Sequence, residues 1–248
     1  MKKLQFTLFL GIVVLFMGLP SINAQNLNQI ESKIHQAYAT AWAGDASSLE
    51  KLVDDLSKQT TTNQAKTYWE AYANYRLAIF YSAYDKTAKS KAKTNRAIEL
   101  LEEIKKKNSE DYALLSCLMG FSIQFSPMTA AFKGPKAGRY AQKSIHLNDN
   151  NLRGHYSVAM NDFYTPKMFG GGDVTEEHLK KSLNLKHKSE KEAHAPTWGK
   201  NEVYELLVRF YIREEKTDEA KMYCKMGLGQ YPQDARLQQH AKSLGLNQ

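Results

Sequence analysis

Four residues, Ser144-Ile145-His146-Leu147, recur as Ser182-Leu183-Asn184-Leu185, 38 positions further along the chain (182 − 144). The register extends upstream. Ser126-Pro127-Met128 matches Thr165-Pro166-Lys167-Met168, and Phe132-Lys133-Gly134-Pro135 matches Phe169-Gly170-Gly171-Gly172. A period of this length marks one supersecondary unit, too small to bury its own apolar face. Such units gain a core only by stacking on their neighbours, which confines the chain to a repeat architecture.

The units read as helical. No stretch keeps the apolar–polar alternation of a half-buried strand, whereas apolar spacings of three and four recur throughout. Leu27, Ile30, Ile34, Ala37, Tyr38 and Ala41 form one stripe, ended by Gly44-Asp45. Leu49, Leu52, Val53 and Leu56 form the next, behind a cap at Ser47 or Ser48. An aromatic helix is predicted from about Gln64 to Tyr84. Lys86 to Lys93 reads as a basic connector, with Thr94-Asn95 capping a helix that carries Ala97, Ile98, Leu101 and Ile104. Three further pairs follow: Glu110–Phe125 with Lys136–Leu147, Leu152–Tyr164 with Val174–Leu185, and Asn201–Arg213 with Thr217–Leu228. A capping helix over 233–246 closes the array, with Asp234 in its cap region. The predicted fold class is all-α, an α-solenoid of stacked antiparallel hairpins. Only 14 Gly and 6 Pro occur, few for the many turns of an all-β chain.

Residues 1–24 read as a secretory signal. Met1-Lys2-Lys3 is the basic start, Leu4 to Leu19 the apolar core, and Ile22-Asn23-Ala24 the site before Gln25. Cleavage between Ala24 and Gln25 is expected, leaving one repeat domain over 25–248 in the periplasm or outside the cell. The apolar core falls short of a ~20-residue span, so no membrane span is expected after cleavage. The formal charge of +8 becomes +6 once Lys2 and Lys3 are removed, (34 − 2) − 26. A basic balance raises nucleic acid as a partner. Export argues against it, and the charge suits either anionic envelope surfaces or a plain solvated face. Cys117 and Cys224 sit far apart in apolar helical stretches and are expected to be buried thiols, unpaired.

The last hairpin resembles the tetratricopeptide repeat. Counting from Asn201, Tyr204 takes the first large position, Leu207 the Leu and Tyr211 the next aromatic. Ala220 is the small residue opening the second helix, Gly227 fills the second small slot, and Pro232 ends the unit. Val208 departs from the family's Gly or Ala, and Cys224 takes a bulky slot. Met119-Gly120 and Val158-Ala159 fit the Leu-Gly pair of the third and fourth units. Thr165 to Leu183, a Pro followed by Phe-Gly-Gly-Gly-Asp and a helix, is similar to loops in exported bacterial tetratricopeptide-like proteins. Periplasmic components associated with TRAP transporters are among these.

The resemblance implies a groove lined by the first helix of each hairpin, and a protein or peptide partner within it. Carried onto the fourth unit, its groove positions are Arg153, Tyr156, Met160, Phe163 and Tyr164. In the last unit they are Glu202, Glu205, Arg209, Ile212 and Arg213. Tyr68, Trp69, Tyr72 and Tyr75 are further candidates, with the facing side open. Aromatics with Arg are the composition of recognition surfaces. The transporter-associated likeness implies the alternative, a small ligand held near the Phe169–Asp173 loop.

No constellation for chemistry emerges, so a non-enzymatic role with no cofactor is expected. Glu176-Glu177 and Glu214-Glu215 are adjacent and point to different helix faces. The seven His, including His178, His187 and His194, lack metal-ligand spacing, and no metal is expected. Gly170-Gly171-Gly172-Asp173 has no following Lys-Ser/Thr and reads as a tight turn needing positive φ, with Asp173 or Thr175 as the helix cap. Met168 and Phe169 then form either a plug between helices or an exposed lip.

Overall fold

Eleven α-helices follow one another along the described residues of the computed structural model, which are 29–59, 63–185 and 195–246. They are α1 (Ile30–Trp42), α2 (Ser47–Ser57), α3 (Gln64–Ala83), α4 (Thr87–Glu103) and α5 (Ser109–Phe121). Then come α6 (Ala130–Leu147), α7 (Leu152–Tyr164), α8 (Thr175–Asn184), α9 (Lys200–Arg213), α10 (Thr217–Gln230) and α11 (Ala235–Ser243). Short 3-10 turns lie at Ser122–Phe125, Pro127–Thr129 and Lys167–Phe169. No strand occurs among the described residues. The first ten helices pair as five hairpins and α11 covers the last, so the α-solenoid is the observed architecture. The cleavage site at Ala24 and Gln25 lies outside the described residues.

Local chemistry sets the helix ends. Asn63, Asn151 and Asp234 each stand before a helix and accept from its first free N–H groups. Asn108 does the same for α5, while the Asp111 carboxylate returns to the Asn108 N–H at 2.8 Å, a reciprocal cap worth ~1 kcal/mol.

The tight turns share one geometry. Asp85 (φ 55°) and Glu215 (φ 58°) take the left-handed conformation that closes a helix. The next N–H reaches back five residues in both, Lys86 to Tyr81 O and Lys216 to Tyr211 O, each at 2.8 Å. This corrects the connector predicted over Lys86–Lys93. That segment is the bend and the first two turns of α4, and Thr94 is no cap: its Oγ1 donates to Ser90 O at 2.8 Å inside the helix. The charges misled because a helix needs only one buried stripe, and Ser90 and Thr94, small and hydrogen-bonded to backbone, supply it with Ala97 and Leu101. The same turn is written twice, as Tyr81…Asp85-Lys86-Thr87 and Tyr211…Glu215-Lys216-Thr217.

Other boundaries differ from expectation too: neither Ser47 nor Ser48 caps α2, where Ser47 N instead donates to Asp45 Oδ1 at 2.9 Å, and α5 ends at Phe121 rather than Phe125. α6 begins at Ala130 rather than Lys136, with Pro135 inside its early turns. α8 is capped neither by Asp173 nor by Thr175. Asp162 of α7 does this work, accepting from Val174 N at 3.0 Å and Thr175 Oγ1 at 2.6 Å.

Helix α3 forms the axis of the core. Tyr68, Trp69, Tyr72, Tyr75, Phe80 and Tyr81 are all buried there. In the last hairpin the family's small and large positions interlock: a Cβ on Gly227 would stand 3.0 Å from Tyr204 Cβ. Cys117 and Cys224 are buried free thiols, and burial pushes both thiol pKa values up.

The array curls until its ends meet. Trp198, just before α9, stacks on Tyr72 with ring centroids 4.9 Å apart and donates its indole N–H to Tyr68 Oη at 2.9 Å. Thr197 N donates to the Glu31 carboxylate at 2.9 Å. Arg76 of α3 pairs with Glu202 of α9, both fully buried. The segment leading into α9, with Glu202 of that helix, thus reaches the first two hairpins. No described helix is long and apolar enough to cross a membrane.

Candidate binding site

Curling leaves a cavity of about 570 Å³ on the concave side. Trp42 from α1, Tyr75 and Ile79 from α3, and Phe121 from α5 make one wall. Tyr156, Met160 and Tyr164 from α7 face them, and Glu205, Arg209 and Arg236 close the far side. The spacing of four between Tyr156, Met160 and Tyr164 puts all three on one face of α7. Gly120 lines the cavity because Asn161 packs against it; a Cβ there would collide with Asn161 Oδ1.

The polar end is organised around Arg209. Its Nη1 donates to Tyr164 Oη at 2.7 Å, and its guanidinium lies 5.2 Å from the rings of Phe163 and Tyr164. Burial opposes its charge, but Glu205 and Tyr164 outweigh that and raise its pKa. Burial likewise works against the Glu205 carboxylate, yet Arg236, His240 and Arg209 hold its pKa down. The walls therefore carry fixed charge at one end and aromatic rings elsewhere.

A smaller cavity of about 350 Å³ adjoins, sharing Trp42 and Arg236 with the first. His35, Tyr38, Arg76 and Trp198 help to line it. Arg76 donates to Glu202 and lies 4.6 Å from the Tyr38 ring centroid. Burial pushes the Glu202 carboxyl upward, but Arg76 and Arg236 dominate and hold it down at about 2. Burial, aided by Arg76, lowers His35 to about 4, so the ring is neutral at pH 7. Tyr38 Oη, Trp42 Nε1, Arg76 Nε and Arg236 Nη2 are buried donors without a hydrogen-bond partner, against one such acceptor on the pair, Glu202 Oε2.

The groove positions proposed for the fourth unit separate. Tyr156, Met160 and Tyr164 line the cavity together. Arg153 does not: it forks the Glu110 carboxylate at 2.5 and 2.7 Å and donates to Trp198 O at 2.7 Å, fully buried. Phe163 is buried beneath Arg209 and Arg213, the latter 4.2 Å from its centroid. Met168 and Phe169 are exposed beyond the cavity, a lip rather than a plug. Of the last unit, Glu205 and Arg209 reach the cavity, while Glu202 is spent on Arg76. Trp42 and Arg236 are lining residues that helical periodicity cannot nominate. Each stands at an end of the array and reaches the cavity only because the ends meet.

His155 and His178 join α7 to α8 through Nδ1 atoms 2.9 Å apart, away from the cavity. His187 and His194 lie outside the described residues. Among the described residues no three metal-ligating side chains come together.

No family model and no curated protein matches the chain. Among solved structures it is similar to the HusA haemophore from Porphyromonas gingivalis, at 21% identity and a TM-score of 0.54, over 79% of this chain and 96% of that one. It is also similar to TTC0263, a thermophilic TPR protein of Thermus thermophilus, at 16% identity and a TM-score of 0.59, over 91% of this chain and 100% of that one. Likeness at this level of identity carries the fold: the chain is a tetratricopeptide-like α-solenoid of helical hairpins, curled around a cavity.

Proposed function

We propose that the chain is a non-enzymatic binding module whose cavity holds a flat, largely apolar small molecule with an anionic edge. A tetrapyrrole is the class that fits best. The observation carrying this is the cavity itself: about 570 Å³, walled by Trp42, Tyr75, Phe121, Tyr156 and Tyr164, with Arg209 and Arg236 at one end, where two cations face the single carboxylate of Glu205. Aromatic walls stack on planar faces, and arginines pair with carboxylates. Ligand pockets of ~300–1,000 Å³ are typical. The similarity to a structure described as a haemophore supports the same class. No histidine is among the described lining residues, so Tyr75, Tyr156, Tyr164 and Met160 are the donors a central metal would meet. The ligand is read as cargo, which accords with a role as accessory subunit of an envelope transport system.

Titration with ferric haem and with metal-free protoporphyrin tests this reading. Saturable one-to-one binding is expected, tighter than about 10 µM. Ile79→Trp, which fills the cavity from α3, is expected to weaken it at least about tenfold with an unchanged melting temperature. No saturation with either porphyrin would sink the reading. A peptide or protein segment is the second occupant considered. The exposed Met168 and Phe169 beside the cavity favour it, as anchors for a chain that enters there.

Export is proposed as well, on the strength of the 1–24 segment. Intact-mass analysis of protein secreted by a bacterial host should give a chain beginning at Gln25. A full-length cytoplasmic product would count against it.

A further inference from the structure

The turns that join the two helices of each hairpin all lie along one edge of the solenoid. Eleven large apolar side chains are exposed among the described residues, and only Leu147, Met222 and Met226 lie away from that edge. The most prominent are Met128 (94% exposed), Phe132 (80%), Met168 (83%) and Phe169 (72%). They come from the turns of the third and fourth hairpins, which are neighbours.

These side chains are held outward by ordered backbone. Phe169 N donates to Pro166 O at 2.8 Å and Gly170 N to Lys167 O at 3.0 Å. Arg213 Nη1 fixes Phe163 O at 2.6 Å just before the turn. Phe132 stands on the first turn of α6. The exposure is therefore built in, and four such side chains in one place demand an apolar partner.

Cations share the edge, although Lys86 and Lys89 lie over the Phe80 and Tyr81 rings of the second hairpin. Lys86, Lys89 and Lys91 lie at the start of α4, and Lys133 follows Phe132. None of the four makes an ion pair among the described residues, although Asp45, Asp85, Asp173 and Glu215 share the edge. Lys167 is bridged to Glu214 at 3.2 Å. Lys91 is close enough to Lys133 to help burial lower its pKa, so this spot gains from an anion.

We propose that this edge docks on a bilayer surface bearing anionic headgroups. Phe132, Met168 and Phe169 enter the interfacial layer, and the lysines meet the phosphates. Protruding apolar tips with cations at their base match an interfacial anchor. A protein anchor site would instead seat such side chains in pockets of a matched partner. Gly134 and Thr165 of this edge also line the large cavity, so docking turns its mouth toward lipid. That last consequence rests on the ligand reading; docking itself does not.

Co-sedimentation of the chain beginning at Gln25 with two vesicles tests the proposal: phosphatidylcholine alone, and phosphatidylcholine with about one-third phosphatidylglycerol. Binding is expected to the anionic vesicles, weakened by salt. Phe132→Asp and Phe169→Asp should each reduce it about tenfold, while Leu147→Asp, on the opposite edge, should not. Absence of binding to both vesicles, or wild-type binding by both edge variants, would overturn it. So would a dimer in analytical ultracentrifugation that Phe132→Asp disperses, since the edge would then belong to a second copy. Porphyrin titration of the same variants should be unchanged, which separates failure of docking from failure of the ligand reading.

Discussion

Glu202→Ala is expected to destabilise the fold by about 3–5 kcal/mol, read as a fall in the midpoint of urea unfolding without a change of slope. The substitution removes the carboxylate that Arg76 donates to and that Arg236 approaches at 3.7 Å. Arg76 is then a buried cation facing aromatic rings without its carboxylate partner. The pair itself need not be stabilising, because two desolvated ions offset much of their attraction. Arg76→Met with Glu202→Leu should therefore recover most of the loss. The acid limb follows from the same group. Its folded pKa of about 2 lies below the ordinary carboxylate value, so its stabilisation is present above about pH 4.5 and is lost as pH falls toward 2. His35 adds an earlier loss. It is held neutral with a pKa of about 4, so protonation opposes folding as pH drops from about 6.5 to 4. Melting temperatures measured between pH 8 and 2 should fall in those two stages.

Gly171→Ala is expected to cost about 2–3 kcal/mol, or to open the α7–α8 turn locally. A Cβ at that position would lie 1.8 Å from Thr165 O and 2.5 Å from Thr165 C. These are backbone atoms, so no rotamer change relieves the contact. Gly138→Ala is the matched control. It lies inside α6 with nothing within 4 Å of the new Cβ, and should stabilise by about 0.5–1 kcal/mol. Thermal melts of the two variants, taken with hydrogen exchange at Phe169 and Gly170, distinguish global from local loss.

The hairpins were legible because each must hide one stripe, and that need is written at spacings of three and four. Ile34, Leu49, Ala97, Leu179 and Leu207 are all fully buried, as their periodicity requires. Boundaries were less legible where charge masked a helix, as at Lys86–Lys93. Its signal was the turn shared with Glu215-Lys216-Thr217. Half of the cavity was legible too. Tyr156, Met160 and Tyr164 follow from position within one helix. Trp42, Phe121 and Arg236 do not, because their meeting depends on the accumulated curl of five hairpins, which no local spacing encodes. Arg153 was misleading in the opposite sense. Its groove position is real in the repeat, but Glu110 and Trp198 have already claimed its guanidinium.

The contact of Trp198 with Tyr68 and Tyr72 spans 130 and 126 residues (198 − 68 and 198 − 72), and Thr197 reaches Glu31 across 166. An open solenoid unravels from its ends, because each repeat touches only its neighbours. Here the two ends brace each other, and neither hairpin can leave without stripping the other. Stability is then not a plain sum over repeats, and unfolding more cooperative than that of an open array is the expected consequence. A hairpin deleted or inserted between Glu31 and Thr197 would part these partners, so the number of hairpins between them is under a geometric constraint that ordinary repeat arrays escape.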